Sequence, residues 1–283
     1  MAVKVAIIYY SMTGTIYQIA QAAQAGAESA GAEVRLRKVT ELAPEAVINS
    51  NPGWRAHVDA TQDVPEASLE DLEWADAYLI GTPTRFGNIA TQLRQFIDTT
   101  GGLWLEGKLA NKVVAAFTSA QQPHGGQEST LLALHNTFYH WGCIIVPPGY
   151  TDPAVFANGG NPYGVSSVAA SRGEISDSTK AAARHLAQCV VQVAGWIKKG
   201  KQEEERGPTS HEFLFNIIDL DRDGEISWEE YSLFLSTYAV KQDQHKAIFQ
   251  KLDLDGNGVI SKDEWMARAD QFMSMTQIGS ETG

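Results

Sequence analysis

The chain has 283 residues, 43% of them hydrophobic and 20% charged, and a net charge of −12. That length accommodates one sizeable core and a smaller module, so two domains are expected. The acid is concentrated late, with 14 acidic against 6 basic residues from Thr209 onward, and without a basic stripe elsewhere this balance excludes nucleic-acid and anionic-membrane partners.

The first element is an apolar, β-branched and aromatic run, Val5 to Tyr10, that stops at Ser11. After the loop Ser11, Met12, Thr13, Gly14 and Thr15, a helical pattern begins at Ile16 and runs to Ala30. A strand, a hydroxyl-bearing turn and a helix N-terminus make an anion site, because the first N–H groups of a helix have no intrahelical partner and lie at the positive end of its dipole. The loop carries no Lys or Arg, which points to a phosphomonoester held by hydrogen bonds. Neither a GxxxxGK[ST] nor a GxGxxG motif occurs in the chain.

Four more strand-length runs follow: Glu33 to Val39, Ala75 to Thr84, Asn111 to Ser119 and Cys143 to Tyr150. The helical stretches Ile89 to Thr99 and Gln127 to Trp141 lie between them, and a polar, Pro-containing connection spans Pro44 to Ser68. Alternating strands and helices imply parallel βαβ units, and burial on both faces explains continuously apolar strands. The expected architecture is an α/β doubly wound parallel five-stranded sheet, with ligands bound where the first, third and fourth βα loops converge. Those loops, SMTGTI, TPTRFGN and TSAQQPHGGQ, are rich in hydroxyls, amides and glycine and suit a planar heteroaromatic ring with a phosphate tail. Thr151 to Asp177 reads as a long irregular insertion before a last helix, Ser178 to Lys199, and Lys198 to Ser210 as a solvated linker.

Beyond the linker stands a repeat. Asp219 to Glu230 and Asp253 to Glu264, 34 residues apart, both satisfy D-x-[DN]-x-[DN]-G-x5-E. Calcium takes about six to eight oxygens, supplied here by Asp219, Asp221, Asp223 and Glu230 and by Asp253, Asp255, Asn257 and Glu264, with the backbone carbonyls of Glu225 and Val259 at position 7. This is an EF-hand pair with two calcium sites, the first expected to be tighter because it offers one more carboxylate. Phe215 and Phe249 occupy the packing positions of the helices that lead into the loops, and Ile226 and Ile260 the short β-contact. Met266, Phe272, Met273 and Met275 are candidates for lining a groove. The domain reading is therefore 1–200, a linker at 201–208, and a small all-α module at 209–283.

The segments YYSMTGTI, GTPTRFGN, TGGLW (Thr100 to Trp104), HGGQE, HWG, VPPGY and NPYG together resemble the WrbA-type NAD(P)H:quinone oxidoreductases, over about Val3 to Gly200. The resemblance implies a flavodoxin-like fold and bound FMN. Ser11, Met12, Thr13, Gly14, Thr15 and Ile16 would hold its phosphate. Thr84, Arg85, Phe86, Gly87 and Asn88 would lie along the ring, and Ser119, Ala120, Gln121, Gln122, His124, Gly125 and Gly126 along its other edge. It also implies a homotetramer, in which Trp104 closes the space above a neighbour's ring and His140 faces that space. The implied chemistry is two-electron reduction of a quinone by NADH or NADPH. Thr13 stands where many members carry an aromatic residue, and the ring loop includes Pro123.

Cys143 and Cys189 lie in apolar surroundings without CxxC spacing and read as buried packing thiols of a reducing compartment. With a strand beginning at about Val3 and no apolar run of about 20 residues, the expectation is a cytoplasmic protein without a membrane span. The hands raise the further expectations of calcium regulation and of a calcium-dependent protein partner. Two rivals share these residues, a calcium-responsive scaffold with a non-catalytic first domain and a one-electron FMN carrier.

Overall fold

Alternate residues of the first strand, β1 (Lys4–Tyr9), enter two different cores, which is why the run is apolar without interruption. Val5, Ile7 and Tyr9 pack against α1 (Thr15–Ser29), while Ala6 and Ile8 face the opposite side of the sheet. A computed structural model describes residues 2–168, 174–206, 210–237 and 241–268. They fall into two compact units, Met1–Lys201 and Gln202–Gly283.

In the first unit, β1 lies between β2 (Glu33–Lys38) and β3 (Ala77–Arg85), and β3 is followed across the sheet by β5 (Val113–Ala120), all parallel. Short β4 (Asn88–Ile89) folds back antiparallel on the end of β3. The helices α4 (Leu69–Trp74), α5 (Thr91–Asp98) and α7 (Gln127–Trp141) cover one face with Leu72, Leu93, Phe96, Leu131, Leu134 and Phe138. On the other face α1 and the long helix α9 (Asp177–Arg206) contribute Ile16, Ile19, Leu186 and Val190.

The expected fifth strand divides in two. β6 (Ile144–Ile145) pairs with Val113–Val114, and β7 (Val165–Val168) pairs with Phe117–Ala120 farther along the same edge. Pro147 and Pro148 lack the N–H groups that a ladder needs, so the chain leaves the sheet there. It returns after α8 (Pro153–Ala157), so the segment read as irregular supplies a helix and a strand.

The connection at 44–68 contains α2 (Glu45–Asn49) and α3 (Pro52–Ala60), and TGGLW forms α6 (Gly101–Leu105). Asn51 caps α3 by accepting from Gly53 N at 3.1 Å and Trp54 N at 3.2 Å, and Pro52 follows at the first helical position, where its missing N–H costs nothing. The segment read as a linker is helical through Arg206, because Lys, Gln, Glu and Arg all favour helix and outweigh the single Gly200, and the segment's proline, Pro208, comes only after it.

The second unit contains α10 (Ser210–Ile218), β8 (Glu225–Ser227), α11 (Trp228–Thr237), α12 (Gln242–Leu252) and β9 (Val259–Ser261), and residues 262–268 are helical. β8 and β9 pair antiparallel with Ile226 opposite Ile260, above a core of Phe215, Tyr231, Phe249 and Trp265. Met266 is exposed, and Phe272, Met273 and Met275 lie outside the described residues. No helix among the described residues is long and apolar enough to cross a membrane.

Where α1 crosses α9, a Cβ on Gly26 would lie 2.5 Å from the Arg184 carbonyl oxygen. An exposed helical Gly→Ala change normally stabilises by about 1 kcal/mol. Here the overlap with backbone reverses the sign, and Gly26→Ala is expected to cost about 1–3 kcal/mol. The check is a lowered urea midpoint for the first unit.

Candidate functional site

Three loops leave the C-terminal ends of β1, β3 and β5 and enclose a cleft of about 490 Å³. From the first loop, Ser11, Met12, Thr13, Thr15 and Ile16 line it. Ser11 Oγ accepts from Gly14 N at 3.2 Å and Tyr17 N at 3.3 Å, folding the loop onto the first turn of α1. Gly14, at φ 99°, takes a left-handed turn that an L side chain resists.

The second loop contributes Thr84, Arg85 and Phe86. It is a two-residue hairpin turn with Phe86 at φ 53° and Gly87 at φ 76°, the positive pair that a twisted hairpin demands. Phe86 is fully exposed despite this unfavourable backbone. Arg85 donates from Nη2 to Met12 Sδ at 3.2 Å and from Nη1 to the Thr84 carbonyl at 3.0 Å, linking the first two loops.

The third loop adds Ser119, Ala120, Gln121, Gln122 and Gly125. Gly126 caps α7 at φ 88°, and a Cβ there would lie 2.6 Å from Gly87 Cα. Ser129 Oγ donates to the Gly87 carbonyl at 2.8 Å, and the Thr84 and Thr130 hydroxyls meet at 2.6 Å. Gly87 and Gly126 therefore fasten the second loop to the third rather than line the cleft. His124 is exposed on the turn beside it.

The sequence reading missed the fourth wall. Asn51 and Pro83 also line the cleft, and α3 packs on the first loop. Glu41 anchors this arrangement. Its carboxylate accepts from Tyr10 Oη at 2.9 Å, Trp54 Nε1 at 3.0 Å and Gln92 Nε2 at 2.8 Å, and from the N–H groups of Leu42 and Ala43. Burial alone would raise this carboxyl, but the N–H of Ala43 and the three side-chain donors hold it below the usual range. The Asn-Pro pair at 51–52 was the available signal for α3; nothing local marks Glu41.

Trp104 and His140 do not line this cleft. They share a second cavity of about 610 Å³ with Asn88, Arg94 and Asn136, and Trp104 Nε1 donates to the His140 carbonyl at 2.8 Å. The Trp104 side chain is 53% exposed. Both cysteines are half-buried rather than buried. Burial pushes the Cys143 thiol up to about 12 and raises that of Cys189, whose Sγ lies 3.5 Å from His185 Nε2, one helical turn earlier.

In the second unit, one carboxylate oxygen from each of Asp219, Asp221 and Asp223 lies within 4.8 Å of the others, as do those of Asp253, Asp255 and Glu264. Glu230 Oε1 accepts from Leu220 N at 2.7 Å and Oε2 from Ser227 N at 2.8 Å, an arrangement repeated by Glu264 with Leu254 and Ser261. Burial would raise both carboxyls, but the N–H groups of Ser227 and Ser261 and the serine hydroxyls keep them low. Asn257 Oδ1 accepts from Val259 N, and Glu225 and Val259 open the paired strands. Asp219 Oδ1 is buried with no hydrogen-bond partner, a costly state for a carboxylate that a coordinated cation relieves. The donor set fits calcium.

Fold and cleft define a flavodoxin-like protein, and the chain matches the family described as NADPH-dependent FMN reductase over residues 3–153 and the EF hand family over 212–235 and 246–267. It belongs to the NAD(P)H dehydrogenase (quinone) family. It is 51% identical over 191 residues to the protein of that name from Deinococcus radiodurans, covering 68% of this chain and 95% of that one. The Geotalea uraniireducens relative of the same name is 43% identical over 203 residues, covering 69% of this chain and all of that protein. A WrbA-like flavodoxin structure from Agrobacterium tumefaciens superposes with a TM-score of 0.50 at 23% identity, over 69% of this chain and 99% of that one, and shows the fold.

Two outcomes follow from this geometry. Asp219→Asn is expected to reduce the calorimetric calcium stoichiometry from two to one, with the remaining site within about 10⁻⁷–10⁻⁵ M. For Glu41, a carboxyl held low in the folded state contributes stability above its unfolded value and loses it as pH falls through the folded one. Glu41→Gln should therefore cost about 1–3 kcal/mol at neutral pH, by turning an amide toward buried donors. The difference from wild type should narrow in urea titrations below about pH 4.

Proposed function

We propose that the first unit binds FMN in the cleft and reduces quinones with NAD(P)H, and that the second binds two calcium ions. The observation that carries this reading is the convergence of three loops rich in hydroxyls, amides and glycine, the first without a Lys or Arg, on one cleft at the switch point of a doubly wound sheet. It is supported by relatives named NAD(P)H dehydrogenase (quinone). The donor set fits the cofactor: hydroxyls and helix N-terminal N–H groups for a phosphomonoester, and the loop segments Thr84 to Phe86 and Ser119 to Gln122 for the edges of a planar ring.

In this reading Ser11, Thr13 and Thr15 donate hydroxyls to the phosphate beside the N–H groups of Gly14 to Ile16. Arg85 and Thr84 border one edge of the ring and Ser119 to Gln122 the other, with Phe86 standing over the opening. When bound, the flavin supplies two-electron transfer, taking a hydride equivalent from the nicotinamide and passing electrons to the quinone. Trp104 and His140, exposed and separate from their own chain's cleft, act across an interface between copies. The homo-oligomer, tetrameric by family resemblance, places them over a neighbour's cleft, where they exclude water and orient the quinone.

Purified protein should carry bound flavin with its visible absorption, bleach with NADH or NADPH without oxygen, and recover on adding a quinone. Ser11→Ala should weaken FMN about 10-fold or more, as loss of a hydrogen bond to a charged group does. Trp104→Ala should lower kcat/KM for quinone by about 10-fold while leaving flavin bound. A colourless protein would favour the scaffold, and a coloured one inert to both nucleotides the one-electron carrier. Running the assays and a sizing measurement with calcium and with chelator tests the regulatory role of the hands.

A further inference from the structure

The wall that α3 adds to the cleft brings a polar side chain with it. Asn51 borders the cleft together with Ser11, Thr13 and Thr15 of the first loop. The first turn of α3 lies beside that loop, with Gly53 next to Thr13, so Asn51 stands at the first loop's end of the cleft. Its Oδ1 accepts from Gly53 N at 3.1 Å and from Trp54 N at 3.2 Å. Because both of these neighbours are donors, the carbonyl end of the amide must face the helix and the Nδ2 end must face away from it. Among the described residues neither N–H of that Nδ2 has a partner. The backbone of α3 has no N–H left over at this end. Pro52 carries none, those of Gly53 and Trp54 are taken by the cap, and that of Arg55 bonds to the Asn51 carbonyl. What α3 presents to the cleft is therefore its cap side chain, half-buried and held in one orientation.

We propose that Asn51 is a further binding residue for the phosphate of FMN, donating through Nδ2 from the α3 wall to the same group that the first loop holds. The inference rests on the flavin reading above and deepens it, since Asn51 belongs to none of the segments that carry the family resemblance. The chemistry suits the ligand. An ionised phosphomonoester offers only acceptors, and the first loop gives it no Lys or Arg, so each additional N–H donor counts directly. An amide whose oxygen already accepts two hydrogen bonds is polarised, which strengthens the bond that its N–H makes. The cap also fixes the side chain before the ligand arrives, so little rotamer entropy is lost on binding. Cap and ligand use opposite ends of one amide, which makes the two roles separable: a side chain that caps through an oxygen but has no N–H keeps the first and loses the second.

The experiment compares two ligands that differ only in the phosphate. FMN and riboflavin are titrated into the apo full-length chain by flavin fluorescence quenching at neutral pH, for wild type, Asn51→Asp and Asn51→Ser. Aspartate and serine cap a helix about as well as asparagine, so both variants should fold with an unchanged urea midpoint. Asn51→Asp, which puts a carboxylate oxygen where the N–H stood, should weaken FMN by about 10-fold or more. Asn51→Ser, neutral and too short to reach the phosphate while capping, should weaken it by about 3-fold or more. Neither should change riboflavin by as much as about 2-fold, since riboflavin lacks the group that Nδ2 serves. Asn51→Thr stands in should Asn51→Ser fail to fold. The serine variant separates contact from charge, because a nearby carboxylate repels a phosphate without touching it. FMN affinity in Asn51→Ser closer than this to wild type would therefore overturn the proposal whatever Asn51→Asp does, as would parallel weakening of both ligands. A wild-type chain that binds riboflavin as tightly as FMN would instead overturn the phosphate reading on which the inference stands.

Discussion

The cleft depends on one carboxylate. Glu41 sits just past β2 and gathers Tyr10 from the end of β1, Trp54 from α3 and Gln92 from α5, three groups that share no local sequence relation. Each donor is at least partly buried, and each would lose its hydrogen bond without this acceptor. A neutral amide could not replace it, because all five contacts come from donors and only an ionised carboxylate offers acceptors throughout. The same bonds that stabilise the charge therefore hold the first loop's strand, the wall beside it and the helix behind the second loop in register.

On the other side of the cleft the constraint is steric. Gly126 approaches Gly87 so closely that a Cβ on Gly126 would lie 2.6 Å from Gly87 Cα, while Gly87 needs its positive φ of 76°, and the Ser129 and Thr84 hydroxyls close the contact. A hairpin turn tied down in this way holds Phe86 in the left-handed region with its ring in solvent. An exposed aromatic on an unfavourable backbone brings no stability of its own, so its surroundings must impose it. In this Phe86 resembles Trp104, which also presents apolar surface to solvent.

Much of this was legible in the sequence, and the remainder was hidden for definite reasons. Strands buried on both faces read as continuous apolar runs, so β1, β3 and β5 were visible. A calcium loop is a local object whose ligands must fall at fixed spacings, so both hands were visible. The fourth wall was not, because α3 is short and polar and acquires its meaning from contacts to Thr13, Gly14 and Glu41 that no local pattern encodes. The divided fifth strand was hidden behind an apolar run that two prolines interrupt, and the length of α9 behind charge blocks that suit a helix as well as a linker. The separation of Trp104 from the cleft follows from α6, whose turn joins the indole to the His140 backbone.

The two units present different groups, neutral donors in the first loop of one and clustered carboxylates in the other, and the charge distribution follows from that difference. Neutral donors in the first loop cost little without a ligand, since hydroxyls and N–H groups can bond within the loop, as Ser11 does with Gly14 and Tyr17. A calcium site needs carboxylates close together, and their mutual repulsion has to be borne by the fold. Backbone N–H groups of Gly224, Gly256 and Gly258 take up part of that charge by donating to Asp219 and Asp253, but Asp219 Oδ1 remains buried and unpaired. The acidic excess of the C-terminal quarter is therefore the local cost of two cation sites. The first loop of the other unit has no corresponding need, because it presents hydroxyls and N–H groups and carries neither Lys nor Arg.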